Sequence, residues 1–277
     1  MSITGMVKIL KKNFLIAYDQ SSSASTGNTT VSYIYDLDRS TKWQSIGSDD
    51  STAETIEIDF SDTQTIDRLC LCETNLKDFS IQYNAGAGYV DFTNVISSKT
   101  DTATTGISYT TNSEGTRYFE FDSVAVDNIK ITMNKTMVVD AQKYITEFYV
   151  GLEVGTFTDD LTSSPNKFQP ITRYTRSKYI EKSNGGIIKL ERAEKYRAKI
   201  KIKEMFETAD QTIIDTMFTD GEFSISPCGF DNNYPNNRGW RLRDFYNVII
   251  KGDDQAAFSI GRDLNMGFAY KFELQES

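Results

Sequence analysis

One short stretch, Tyr35-Asp-Leu-Asp-Arg-Ser-Thr-Lys-Trp43, concentrates oxygen-bearing side chains. Asp36, Asp38 and Thr41 sit close together on what reads as a loop. Hard cations take several oxygens from side chains and backbone, and a tight loop supplies them. The same residues also build turns in which Asp accepts from its own backbone, and both readings stay open. Trp43 closes the stretch and reads as core, with a binding platform as the other use of a large aromatic ring.

A second stretch carries charge rather than ligands. Lys195-Tyr-Arg-Ala-Lys-Ile-Lys-Ile-Lys203 alternates strictly. On a strand, Lys195, Arg197, Lys199, Lys201 and Lys203 share one face. That face is either solvated or meets an acidic partner.

Other chemistry is excluded by composition. The chain of 277 residues has no His, so Ser-His-Asp and Cys-His catalysis and imidazole-held zinc, haem or copper are ruled out. No P-loop, GxSxG, HExxH or dinucleotide fingerprint occurs. The 39 acidic residues guarantee carboxylate pairs by abundance, so no pair is singled out. Three Cys make no disulfide framework, and Cys70, Cys72 and Cys228 read as small buried hydrophobes of a reducing compartment. The net charge of −9 falls almost wholly before Gly151, which disfavours non-specific nucleic-acid binding there. The N-terminal residues show no signal peptide, and no apolar run approaches a membrane span.

These residues need elements to hold them. Period-two alternation runs through Glu54–Phe60, Ile66–Leu71, Phe79–Tyr83, Tyr118–Phe121, Ile129–Met133 and Ile145–Val150. Short strands with polar turns mean a sandwich or a barrel, without a convincing helix in this half. The Ser-rich run from Ser21 to Gly27 reads as an exposed loop. Gly151 to Pro165 punctuates the chain and marks a boundary. Beyond it the basic strand leads to a helix: Thr208 and Gln211 form a capping box, Ile213, Ile214, Met217 and Phe218 share a face, and Gly221 ends it. Pro227–Gly239 reads as a long loop.

In order along residues 14–151, several segments resemble the discoidin, or coagulation-factor type C, family of galactose-binding-like domains. They are Asp36-Leu-Asp-Arg-Ser-Thr-Lys-Trp43, Glu54-Thr-Ile-Glu-Ile-Asp-Phe60, Ile66–Leu71, Asp78–Tyr83, Gly88-Tyr-Val-Asp-Phe92, Tyr118–Thr132 and Ile145-Thr-Glu-Phe-Tyr-Val-Gly151. The resemblance implies an eight-stranded jelly-roll-like sandwich that binds glycans, lipid headgroups or proteins through loops at one end. It also implies a structural Ca2+ held by Asp36, Asp38 and Thr41 with Glu147. Leu37 stands where the family has Gly, so the loop backbone is expected to differ. An exposed aromatic set for glycan binding is not placed, and Tyr89 and Phe92 read as core. Residues 186–229 resemble tail-tube-like and distal-tail-like domains of bacteriophage tails.

The expectation is therefore a mostly β chain of two domains. Residues 1–152 form the discoidin-like sandwich. Residues 153–277 form a β domain with a helix near 208–219. The expected function is that of a non-enzymatic virion protein of a tail or baseplate, assembled in the host cytoplasm. Its partners would be other virion subunits, in many copies, and host glycan, with neither membrane nor specific nucleic acid. The alternative is a glycan-degrading enzyme carrying a carbohydrate-binding module.

Overall fold

The structure is a computed structural model. It describes residues 8–156 except 39, 48–49 and 98–102, and in the second half residues 167–175, 178–181, 187–190, 194–205, 212–213, 215–216, 222–226, 246–250 and 268–276. The chain is mostly β and its sheets are antiparallel.

Eight strands build a sandwich: β2 (Gln20–Ala24), β3 (Trp43–Gln44), β4 (Glu54–Thr74), β5 (Leu76–Asn84), β6 (Tyr89–Val90), β7 (Ile107–Tyr109), β8 (Arg117–Thr136) and β9 (Tyr144–Gly151). Four of the expected strands are fused in pairs. Glu54–Phe60 and Ile66–Leu71 are the two arms of β4, and Tyr118–Phe121 and Ile129–Met133 are the two arms of β8. The β4–β8 register shifts between Asp59 and Gln64 and again between Ile66 and Arg68, where both strands turn from one layer into the other. One layer is then β2, the first arm of β4, the second arm of β8, and β5 with β6 and β7. The other is β3, β9, the second arm of β4 and the first arm of β8.

Between the layers lie Trp43, Ile56, Ile58, Leu69, Leu71, Phe79, Ile81, Phe92, Phe119, Ile129, Ile131 and Phe148, all essentially closed to solvent. Their burial is the main drive for the fold, since each large apolar side chain contributes about 1.5–3 kcal/mol on leaving water. Trp43 is core as expected, and its Nε1 donates to the Thr26 carbonyl at 3.1 Å.

Local readings differ in two places. Ser21–Ala24 is not a loop: it is β2, laddered to residues 56–59 of β4. Serine has little strand preference, so non-local pairing decides. Two short helical segments also precede β3: α1 (Phe14–Ala17), capped by the Asn13 side chain, and a 3-10 segment, Asn28–Tyr35. Both are too short for periodicity to reveal them.

A second, seven-stranded sheet runs in the order β10 (Glu153–Thr156), β1 (Lys8–Lys11), β15 (Glu222–Ser226), β16 (Tyr246–Ile250), β17 (Phe268–Glu276), β14 (Glu194–Met205), β11 (Lys167–Thr175). β12 (Lys178–Glu181) and β13 (Ile187–Leu190) pair separately. Strand β1 comes first in the chain yet ladders with β10 and β15. Thr212, Ile213, Asp215 and Thr216 are helical, within the helix expected near 208–219, whereas Thr208 and Gln211 lie outside the described residues. A Cβ on Gly155 of β10 would stand 2.6 Å from the Ile213 side chain, so the helix rests directly on the β10 backbone.

The two sheets meet where the sandwich presents an apolar outer face. Cys70, Cys72, Tyr118 and Tyr149 point away from the main core and close over Leu10 of β1. The Cys70 and Cys72 sulfurs are 3.4 Å apart and buried there. Tyr149 donates its hydroxyl to the Lys11 carbonyl at 2.8 Å. Gly151 has to lack a side chain, because a Cβ there would lie 2.0 Å from that hydroxyl. Burial pushes the Tyr149 phenol well above its ordinary range, so it stays a donor.

Candidate functional site

The opposite outer face of the sandwich has a different character. In β4, β8 and β5 the residues between the core positions are polar, and the ladder sets them side by side. One row is Thr55, Thr132, Ser80 and Ser108; the next is Ser23, Glu57, Lys130 and Gln82; the third is Ser21, Asp59, Asn128, Asn84 and Tyr89. Period-two alternation puts each row outside, because Ile56, Ile58, Ile129, Ile131 and Ile81 point inward.

Tyr89 sits at the rim of this face because of the preceding turn. The Asn84 Oδ1 accepts from the backbone N–H groups of Gly86 at 2.8 Å and Gly88 at 2.9 Å. Both glycines have positive φ, 95° and 107°, which a side chain would oppose. The turn returns the chain so that Tyr89 pairs with Asn84. Phe92, three residues on, enters the core against Tyr83 and Phe121, as the sequence suggests. Tyr89 does not: it is only partly buried, and the Lys130 Nζ lies 5.1 Å from its ring centroid.

A hydrogen-bonded line runs from the tyrosine across the strands. Asn84 donates to the Asn128 Oδ1 at 3.1 Å, and Asn128 donates to Asp59. Lys130 pairs with the Glu57 carboxylate at 2.7 Å. Gln82 donates to Asp91 at 2.9 Å. The Tyr89 phenol is pushed up, first by burial and then by the Glu57 and Asp59 carboxylates, so it is a neutral hydroxyl at neutral pH. The face thus offers an aromatic ring, amides, carboxylates and hydroxyls in one plane. Such groups suit a polyhydroxylated ligand, with apolar ring faces against the aromatic and hydroxyls against the amides and acids. The signal in the sequence is the polar character of every outward position from Glu54 to Asp59, Asn128 to Thr132 and Ser80 to Asn84. Without cross-strand register it does not point to Tyr89.

The oxygen-rich loop is placed as follows. Asp36 accepts from the Asp38 backbone N–H at 2.9 Å and from the Thr41 hydroxyl at 2.7 Å. Asp38 accepts from the backbone and hydroxyl of Ser40. Leu37 has φ 61°, the left-handed backbone natural to glycine. Glu147 is buried on β9, opposite Cys72. Strand β3 pairs Trp43 with Ile145, two residues before Glu147 on β9. Asp36, Asp38 and Thr41 are hard oxygen donors brought together within the loop, suited in kind to Ca2+. Among the described residues no three His, Cys, Asp or Glu side chains are grouped to hold a metal by themselves, so hydroxyl and backbone oxygens would have to complete the shell.

Lys195, Arg197, Lys199, Lys201 and Lys203 lie on β14, between β11 and β17, with Lys199 opposite Glu273 and Lys201 opposite Lys271 in register. Their side chains are outside the described residues. Among the described residues no helix is long and apolar enough to cross a membrane.

No family model matches the chain, and no curated protein matches it. Among solved structures, a chitosan-binding module of a Paenibacillus chitosanase/glucanase is 18% identical, with a TM-score of 0.39; the match covers 50% of this chain and 98% of that one. A Clostridium perfringens carbohydrate-binding module in complex with GalNAc-β-1,3-galactose is 10% identical, with a TM-score of 0.36, covering 47% and 94%. A pectin-binding carbohydrate-binding module is 19% identical, with a TM-score of 0.33, covering 47% and 88%. Each match spans about half of this chain.

Proposed function

We propose that the sandwich is a glycan-binding module and that its contact surface is the polar face rimmed by Tyr89. The observation that carries this is the Tyr89 ring, held by Lys130 at the end of the Asn84–Asn128–Asp59 line, on a face bearing only polar neighbours. An aromatic ring left on such a face adds little to the core; stacking against a sugar ring is the use that fits its position. Glycan arrays and affinity electrophoresis in soluble polysaccharide test the reading. Tyr89→Ala is expected to lose at least tenfold in affinity with an unchanged melting temperature. Unaltered retention of that variant sinks the proposal.

A module of this kind fits a glycan-degrading protein better than a virion component. The polar face offers groups suited to sugars, whereas the tail or baseplate reading rests on the resemblance of residues 186–229 alone. The module itself is proposed to bind without catalysis. Release of reducing sugar from a bound polysaccharide by the purified chain, abolished by single carboxylate substitutions, overturns that. Assembly with virion subunits, in many copies, remains a proposal that co-sedimentation with phage particles tests. A single structural Ca2+ on Asp36, Asp38, Thr41 and Glu147 is proposed separately; it would tie the loop to β9.

A further inference from the structure

The three polar rows have a shape and a charge, and together they restrict what the face accepts. The third row begins at Tyr89 and crosses to Ser21 through Asn84, Asn128 and Asp59. It crosses the sheet from rim to rim, about 19 Å at the usual 4.7–4.9 Å between strands. One sugar ring does not fill such a line; several linked rings do. The line also keeps hydrogen-bonding capacity. Asn84 uses one amide hydrogen on Asn128, and Asn128 uses one on Asp59, so each retains a second. The second Asp59 oxygen and the Tyr89 hydroxyl are likewise available to a ligand.

Charge narrows the class further. Glu57 and Asp59 stand in the rows, and Asp91 and Asp127 lie beside them, with Asp91 receiving Gln82 and Asp127 receiving Thr63. The rows hold one cation, Lys130, and it is already paired with Glu57. A carboxylate or sulfate brought onto this face meets unbalanced negative charge, and like charges placed together disfavour binding.

From length and charge together we infer that the face binds a run of several linked sugars lying across the strands, and that those sugars carry no carboxylate or sulfate. Amino groups on the sugars are accepted. This inference rests on the glycan-binding reading and adds the ligand class to it.

The experiment is calorimetric titration of the full chain with neutral, amino-bearing and uronate-bearing oligosaccharides of one to five units. Affinity is expected to rise at least tenfold from one to three units. Uronate-bearing oligomers are expected to bind at least tenfold more weakly than neutral ones of the same length, with the gap shrinking in high salt. Glu57→Gln/Asp59→Asn is expected to narrow the gap, and Asn128→Ala to remove the dependence on length. A monosaccharide that binds as tightly as a trimer, or a uronate oligomer that equals the neutral one, overturns the inference and leaves glycan binding standing. No binding to any of the sugars ends both.

Discussion

Arg68 offers the sharpest test of how the two sheets are joined. It extends from β4 at the edge of the apolar contact with β1. Its guanidinium pairs with Glu153 of β10, lies 3.4 Å from the Asp67 carboxylate and 3.9 Å from Glu120. The Asp67 Oδ1 also accepts from the Glu153 backbone N–H at 2.8 Å, so the cluster fixes the first residue of β10 twice. All of these side chains are largely buried, at 11% to 18% exposure, so solvent screens them little. Burial disfavours the Arg68 charge, but Tyr118, Glu120, Asp67 and Glu153 outweigh it and hold the group firmly protonated. Asp67 goes the other way: burial raises its carboxyl above 3.8, with Arg68 only partly opposing. The two shifts are compatible because one cation is shared among three acids. Arg68→Ala removes that cation and leaves three carboxylates near one another. Breaking a buried pair in this way costs about 3–5 kcal/mol. With a urea slope of ~2 kcal/mol/M, the midpoint falls by roughly 2 M. Trp43, closed inside the sandwich, reports by fluorescence in a Trp240→Phe background. Arg68→Lys, which keeps charge without the planar fork, is expected to lie between. A loss below about 1 kcal/mol, the value of an exposed pair, would falsify the view that this cluster joins the sheets.

Further expectations concern single groups. Asp67→Asn keeps an acceptor for Glu153. Because the folded carboxyl titrates above its ordinary value, ionising it destabilises the fold, and this penalty grows as pH rises from about 4 through the raised value. The variant therefore gains on the parent protein between pH 4 and 7 in urea melts, and a net loss at pH 7 contradicts the direction of the shift. Gly27→Ala is expected to cost more than about 1 kcal/mol, since φ is 63° and a Cβ would lie 2.4 Å from the Gln44 carbonyl oxygen. Leu37→Gly relieves a left-handed leucine and gains up to about 1 kcal/mol after glycine's entropy is counted. For the Ca2+ proposal, calcium raises the melting temperature and Glu147→Gln abolishes the rise; identical melts in calcium and in chelator end it.

Much of the sandwich is legible in the alternation of apolar and polar residues, because strand geometry alone decides which side chains share a face. That rule sets Ile56 with Ile58 and Ile129 with Ile131 on the core side without any tertiary contact. The absence of His likewise restricts the chemistry without any knowledge of the fold. What lies beside or above a face is a different matter. Nothing local says that Lys8–Lys11 leaves its neighbours to pair with β10 and β15, that Leu10 covers Cys70 and Cys72, or that four expected strands are two. Ser21–Ala24 becomes a strand because β4 offers it an edge. Tyr89 has the composition of a core residue; it becomes a rim residue because the Gly86–Gly88 turn and the β5–β6 register carry it onto the polar face. Periodicity is a property of one strand, whereas pairing partners and cover are chosen by segments far away in the chain, so only the tertiary structure decides them.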